Sequence, residues 1–379
     1  MKIAVLREIL PGETRAAAVP ESLRRLARGG TSVAVEAGLG RGCGIADDKY
    51  ASAGASVAPD AAAALDGAEL VLKVLPPAWG PCAPRDEVEL LHSGQVLVGM
   101  LAPAANPELI AALAQRGVTC FSLDAMPRIT RAQSMDVLSS MSTVAGYQAV
   151  VLAAAALGKM MPMMMTAAGT IKPANVLVIG AGVAGLQAVA TARRLGGVVK
   201  AVDTRPAVKE QILSLGAKFV PLEVAHDAEA AGGYAADLGS EYYRKEQEIL
   251  APHVAEADII VATAMIPNRK APLLITKDML ASMRGGSVIV DLAASAGGNC
   301  EATEPGKDVQ VEGVKILAPL NLPTQVPLDA SRMYASNIAS FVAELVKDDQ
   351  VNVDMENEVI ADTLVTRDGQ VVEHRKGTP

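Results

Sequence analysis

Apolar residues fall in short unbroken runs along this chain, separated by stretches with helical spacing. KIAVL (2–6) reads as a strand and PESLRRLARG (20–29) as an amphipathic helix stopped by Gly29 and Gly30; SVAVEAG (32–38) is the next strand. LVLKVL (70–75) and QVLVGML (95–101) are apolar runs bounded by proline and glycine, and VTCFSL (118–123) follows a helical segment at 107–116. The alternation then repeats. NVLVI (175–179) is a strand, LQAVATARRLG (186–196) a helix and VVKAV (198–202) a strand; DIIVAT (258–263), a helix near 276–283 and SVIVDLA (287–293) follow. Strands alternating with helices predict parallel sheets, because a parallel pair needs a crossover long enough to hold a helix.

The pattern therefore predicts an α/β chain of two Rossmann-like, doubly wound parallel-sheet domains with a ligand cleft between them, plus a C-terminal β-hairpin. The first domain takes residues 1–143 and returns at about 327–379; the second, nucleotide-binding domain takes 144–326. An apolar helix after 144 bridges them, and ASNIASFVAELVKD (335–348) leads the chain back. The tail VIADTLVTRDGQVVEH (359–374) alternates around Asp368-Gly369, a strong hairpin signal. Such a hairpin suits either a dimer arm or a simple edge extension.

Half of the 379 residues are apolar but only 3% are aromatic, so the cores must be built from Ala, Val, Leu, Ile and Met. A net charge of −8 without a basic patch argues against a nucleic-acid partner. Cys43, Cys82, Cys120 and Cys300 show no paired spacing, which predicts neither a metal site nor a disulfide framework and fits a reducing cytoplasm. The opening apolar run is too short for a signal peptide. Residues 144–171 carry one charge, Lys159, and are long enough to span a membrane. Gly158, Lys159 and Pro162 interrupt them, and a buried helix in a soluble protein is expected instead.

Two stretches carry candidate chemistry. GAGVAG (180–185) follows a strand and opens a helix, and Asp203 ends the next strand about twenty residues on, the dinucleotide fingerprint in its proper context. Gly180 permits the tight turn, Gly182 a close approach of pyrophosphate, and Gly185 close helix packing. Asp203 is placed to accept from both adenosine-ribose hydroxyls and to repel a 2′-phosphate, which selects NAD(H) over NADP(H); Arg205 pulls slightly the other way. The alternative for Asp203 is a helix N-cap. The second stretch, RITRAQSMDVLSS (128–140), is polar in an otherwise greasy chain. It reads as a solvated loop and helix entry, or as donors and acceptors aimed at a planar polar ligand.

PRITRAQSMDVLSS, MMTAAGT, GAGVAGLQAVATARRLG, EAAGGYA, SVIVDLAASAGGNCEATEPGK and PGETRAAAVPES together resemble the proton-translocating nicotinamide nucleotide transhydrogenases, in their NAD(H)-binding component. The resemblance covers essentially the whole chain; 98–106 and 317–325 match only loosely. It implies that Arg128 and Gln133 hold the nicotinamide end of NAD(H), with Asp136 and Ser139 completing the network around ribose and carboxamide. These four would orient the ring for hydride transfer without acid/base chemistry. Val183 would pack on the cofactor, and Asp203, Thr204 and Arg205 would surround the adenosine ribose. Gly233 and Tyr234 would belong to a loop that folds over bound nucleotide, though an Ala/Gly-rich run also suits an idle surface loop. Thr263, Ala264 and Met265 would lie beside the ring, or else be plain core packing. The resemblance further implies NADP(H) on a partner domain or subunit, a membrane domain, a homodimer, and a peripheral place on the inner face of the cytoplasmic membrane.

A related family, the alanine dehydrogenases, shares the PGETR opening, and its substrate-binding Arg and Lys match Arg15 and Lys73. The other readings of those two are structural remnants or partners of acidic neighbours. The family's catalytic His, however, falls at about Met100 and its catalytic Asp at about Ser295. His92, His226, His253 and His374 do not restore the pattern, so the general acid/base that amino-acid oxidation needs is missing. A non-catalytic NAD sensor would leave the 128–140 loop without a purpose.

Overall fold

A computed structural model describes residues 1–81, 83–222, 240–266 and 269–372. It divides into two units, Met1–Met141 with Pro323–Pro379 and Ser142–Leu322. In chain order the first unit contributes β1 (Lys2–Val5), β2 (Ser32–Glu36), β3 (Ser56–Ala58), β4 (Leu70–Leu72), β5 (Val96–Gly99) and β6 (Thr119–Ser122). The second contributes β7 (Met164–Thr166), β8 (Gly169–Ile171), β9 (Asn175–Ile179), β10 (Val198–Val202), β11 (Lys218–Val220), β12 (Ile259–Ala262), β13 (Val288–Asp291), β14 (Asp308–Val311) and β15 (Val314–Leu317). Back in the first unit come β16 (Val346–Lys347), β17 (Gln350–Val351), β18 (Leu364–Arg367) and β19 (Gln370–Val371).

Both main sheets are open and wound the same way. The first runs β3-β2-β1-β4-β5-β6, all parallel, and the second β11-β10-β9-β12-β13-β15, also parallel. Each order reverses between its first and fourth strands, and such a switch point leaves a crevice at the strands' carboxyl ends. The central strands β4, β5, β12 and β13 are buried along their whole length, which explains why they read as continuous apolar runs rather than alternations. Antiparallel strands finish one edge of each sheet: β18 and β19 in the first, β14 in the second.

The C-terminal hairpin is that edge extension. Its turn places Asp368 and Gly369 at φ 52° and 78°, as a two-residue hairpin demands, and β18 pairs with β6. The hairpin is also shorter than its alternation suggested. Residues Glu358–Thr363 fold as a helix instead, because the Asn357 side chain accepts from Val359 N at 3.1 Å and caps it. The return helix starts early, at Pro327, whose ring suits a first helical position.

Residues 144–171 are not one buried helix. The helix Val137–Ala156 stops at Ala156, and β7 and β8 beyond it form an exposed methionine-rich hairpin. That helix is long and apolar enough to cross a membrane by composition. Its Ala149, Val150 and Ala153 instead join the core of the second unit. Gly146 permits the contact: a Cβ there would lie 2.1 Å from the Ala184 carbonyl.

Candidate functional site

In the second unit the fingerprint residues converge on the carboxyl ends of β9, β10 and β12. Gly180 adopts φ 88°, and a Cβ there would sit 2.7 Å from Thr263 Oγ1. Gly185 has no room for any side chain, since its Cβ would fall 1.9 Å from the Gly180 carbonyl oxygen. Gly182 differs. It precedes the helix Val183–Arg194, is exposed, and a Cβ there would meet nothing within 4 Å. Two glycines thus build the turn while the third keeps its outer face open. That is the cradle a pyrophosphate needs at a helix N-terminus, where unpaired N–H groups gather. Val183, 43% exposed, stands at the lip of the same turn.

Asp203 follows β10 and is buried. Its Oδ2 accepts from Ala181 N at 2.7 Å, which ties the carboxylate to the glycine turn. Arg205 grips it with both arms: Nε donates to Oδ1 and Nη2 to Oδ2, each at 2.9 Å, and Arg205 N donates to Oδ1 at 2.8 Å. The guanidinium is therefore turned onto Asp203. The following helix, Val208–Ser214, has Ala207 at its N-cap, so Asp203 is not a capping residue. Thr204, half-buried, lies between the two.

The β9–β12 register places Ala262 opposite Ile179, so Thr263 emerges beside Gly180 and its hydroxyl donates to the Gly180 carbonyl at 2.9 Å. Ala264 is held on both sides by Asn299, whose Oδ1 accepts from Ala264 N at 3.0 Å and whose Nδ2 donates to Ala264 O at 2.8 Å. Met265 is 48% exposed and is no core residue. Gly233 and Tyr234 lie outside the described residues.

In the first unit, Thr130–Met135 form a 3₁₀ turn that leads into the helix Val137–Ala156. Ala132 and Met135 anchor the turn in the core, Asn337 Nδ2 donates to Ser134 O at 2.8 Å, and Arg131 Nη2 donates to Asn357 Oδ1 at 2.7 Å. Asp136 caps the helix: its carboxylate accepts from Ser139 N at 2.9 Å and from Ser139 Oγ at 2.5 Å. Gln133 is exposed on this braced turn, and Arg128 is exposed just before it. The structure thus pairs Asp136 with Ser139 and assigns Arg131 to bracing.

Family models for the alanine dehydrogenase/PNT N-terminal and C-terminal domains match residues 4–145 and 149–374. The chain belongs to that family. The first portion of NAD(P) transhydrogenase subunit alpha from Rhodospirillum rubrum is 47% identical over 98% of both chains. A solved transhydrogenase structure from Sinorhizobium meliloti is 43% identical, with a TM-score of 0.84 over 98% of this chain and 99% of that one. The alanine dehydrogenase of Halomonas elongata is more distant, 33% identical over 91% of this chain and 87% of its own.

Where the two branches of the family diverge, the local chemistry is informative. Arg15 and Lys73 both pair with acidic neighbours. Arg15 donates to Glu13 at 2.8 and 2.6 Å, while Lys73 lies 3.1 Å from Glu87 and 3.4 Å from Glu8. Glu8 follows β1 and Lys73 follows β4, so this ionic cluster fills the switch point of the first sheet. Burial raises Glu8 above the usual carboxylate range against the pull of Lys73, and the two carboxylates hold Lys73 charged against its own burial. Met100 and Ser295 offer no acid or base. His253 lies beside Lys200 and Glu256 near Asn175, Val176 and Val198 at the amino ends of β9 and β10, and burial and Lys200 lower it. His92 is exposed before β5; His226 and His374 lie outside the described residues.

Two site-building residues escaped the sequence reading, Asn299 and Asp291. Asp291 ends β13 fully buried, and its carboxylate accepts from Asn299 N (2.7 Å), Cys300 N (3.1 Å), Thr303 Oγ1 (2.6 Å) and Ala293 N (3.0 Å). It thereby fixes the loop from which Asn299 reaches Ala264. The signal to look for was an acidic residue closing an apolar run, followed by Gly-Gly-Asn.

Proposed function

We propose that this chain binds NAD(H) and exchanges hydride with NADP(H) held by a partner domain of a membrane-associated transhydrogenase: NADH + NADP⁺ ⇌ NAD⁺ + NADPH. The observation that carries the reading is the glycine turn locked against Thr263 and tied to Asp203, in a chain that matches the first portion of an NAD(P) transhydrogenase subunit alpha over 98% of both lengths. The nicotinamide supplies the hydride chemistry itself. The protein's part is to hold and aim. The Val183–Arg194 helix start takes the pyrophosphate, Asp203 takes the adenosine ribose with Thr204 and Arg205 around it, and Val183 packs against the nucleotide. Arg128, Gln133, Asp136 and Ser139 fix the nicotinamide end, with Thr263, Ala264 and Met265 beside the ring. Gly233 and Tyr234 belong to the loop that covers it.

Asp203 supports NAD(H) over NADP(H), since a carboxylate accepts from ribose hydroxyls and repels a phosphate. Homodimerisation is supported by the β7–β8 hairpin rather than the C-terminal one. Met164, Met165 and Ile171 on it are exposed, as are Met160 and Met163 just before it, and exposed apolar residues in one stretch mark an interaction surface.

The test is a separation of chemistry from binding. Gln133→Ala should slow hydride transfer on the order of a hundredfold while NADH affinity changes by less than about threefold, because misplacing a reacting ring costs rate before binding. Asp136→Asn keeps the helix cap and should behave alike, with wild-type thermal stability. Equal losses of rate and affinity would contradict the orienting role.

A further inference from the structure

A second buried carboxylate feels the charge of Asp203, and the nucleotide fingerprint does not account for it. Glu246 sits on the helix Ser240–Glu256 and is 5% exposed. Burial and the Asp203 charge together push it up to about 7. One turn before it on the same face, the Tyr242 hydroxyl is buried without a hydrogen-bond partner among the described residues, and it too feels Glu246 and Asp203. Two buried polar groups thus share one helical face and both feel Asp203, and a buried hydroxyl left unpaired is costly unless something completes it. Asp203 is the described charge that acts on Glu246, and Arg205 offsets it from the β10 side. On the neighbouring helix Lys277–Ser282, Lys277 and Asp278 are exposed, and Lys277 faces Glu301.

We propose that Glu246 is a specificity-determining residue of the adenosine-ribose site, a second negative charge that with Asp203 repels the 2′-phosphate of NADP(H) while admitting the ribose hydroxyls of NAD(H). The Tyr242 hydroxyl, on the same helical face, is the polar group left for the ribose to complete. The inference rests on the reading of Asp203 as the ribose carboxylate. One carboxylate alone permits a neighbouring arginine to turn outward and receive a phosphate. Two carboxylates hold the potential negative even when Arg205 neutralises one of them.

Binding of NADH and NADPH to the full chain, measured calorimetrically for wild type, E246Q and D203A, tests this without an activity readout. At about pH 8, where Glu246 is charged, E246Q should bind NADPH roughly tenfold more tightly than wild type, with NADH affinity within about threefold. At about pH 6 the difference between wild type and E246Q should close, since Glu246 then carries a proton; the phosphate's own titration affects both proteins alike. Equal NADPH affinity of wild type and E246Q at the higher pH, with D203A weakening NADH, would overturn the proposal alone. Unchanged NADH affinity in D203A would overturn the reading beneath it. Should E246Q fail to fold, E246L removes the same charge with an apolar group of similar size and carries the same comparison.

Discussion

Lys73 carries its ammonium into the interior of the first unit, 1% exposed, between Glu8 and Glu87. Lys73→Met would leave the buried Glu8 without its cation, while Glu87 keeps Arg85 at 3.3 Å, so a stability loss of about 3–5 kcal/mol is expected from urea unfolding. A loss below about 1 kcal/mol would mean that the pair contributes nothing there. Glu246 gives a pH signature. Its folded pKa is raised from 4.5 to about 7, so the folded state holds that proton more tightly than the unfolded chain. This contribution to stability is full below pH 4.5 and is lost as pH rises through 7, at most roughly 3 kcal/mol. The melting temperature of E246Q relative to wild type should therefore climb between about pH 5 and about pH 8, and a constant difference would contradict this. At this scale the sequence was legible where spacing carries geometry. Gly180, Gly185 and Asp203 stand where a strand, a turn and a second strand must put them. Asn299 and Asp291 were not legible, because their task is to satisfy buried backbone groups of distant loops, which no local pattern encodes.

Among the elements, strands read well because buried parallel strands are unbroken apolar runs. Short edge strands such as β3 and β11 are too brief to show any period. The hairpins show where local reading fails. Alternation over 359–374 suggested a long hairpin, yet an asparagine cap turned its opening residues into a helix. A buried helix was expected of 144–171, yet the methionine run after Pro162 forms an exposed hairpin, with Met165 77% exposed. If that hairpin joins two copies, Met165→Asp should shift the chain from dimer to monomer in sedimentation, with its melting temperature as a monomer near wild type. A dimer that persists unchanged would place the interface elsewhere. In the 128–140 stretch the helix entry is observed directly, since Asp136 caps the helix, and Arg128 and Gln133 are exposed beside it.

Across the whole molecule, two sheets with one winding order hold different contents at their switch points. The second keeps an open glycine turn beside Asp203; the first is filled by the Glu8–Lys73–Glu87 cluster. One nucleotide fingerprint, with no acid/base group at Met100 or Ser295, leaves hydride exchange with a second cofactor as the chemistry that fits. The most direct measurement mixes the purified chain with a separately expressed NADP(H)-binding transhydrogenase domain and follows reduction of an acetylpyridine analogue of NAD⁺ by NADH in the presence of NADPH. In parallel, the chain alone is offered L-alanine and NAD⁺. Turnover that requires the partner domain, with no alanine-dependent reduction, is the predicted result. Alanine-dependent reduction by the chain alone would contradict the account and place it with the dehydrogenase branch of the family.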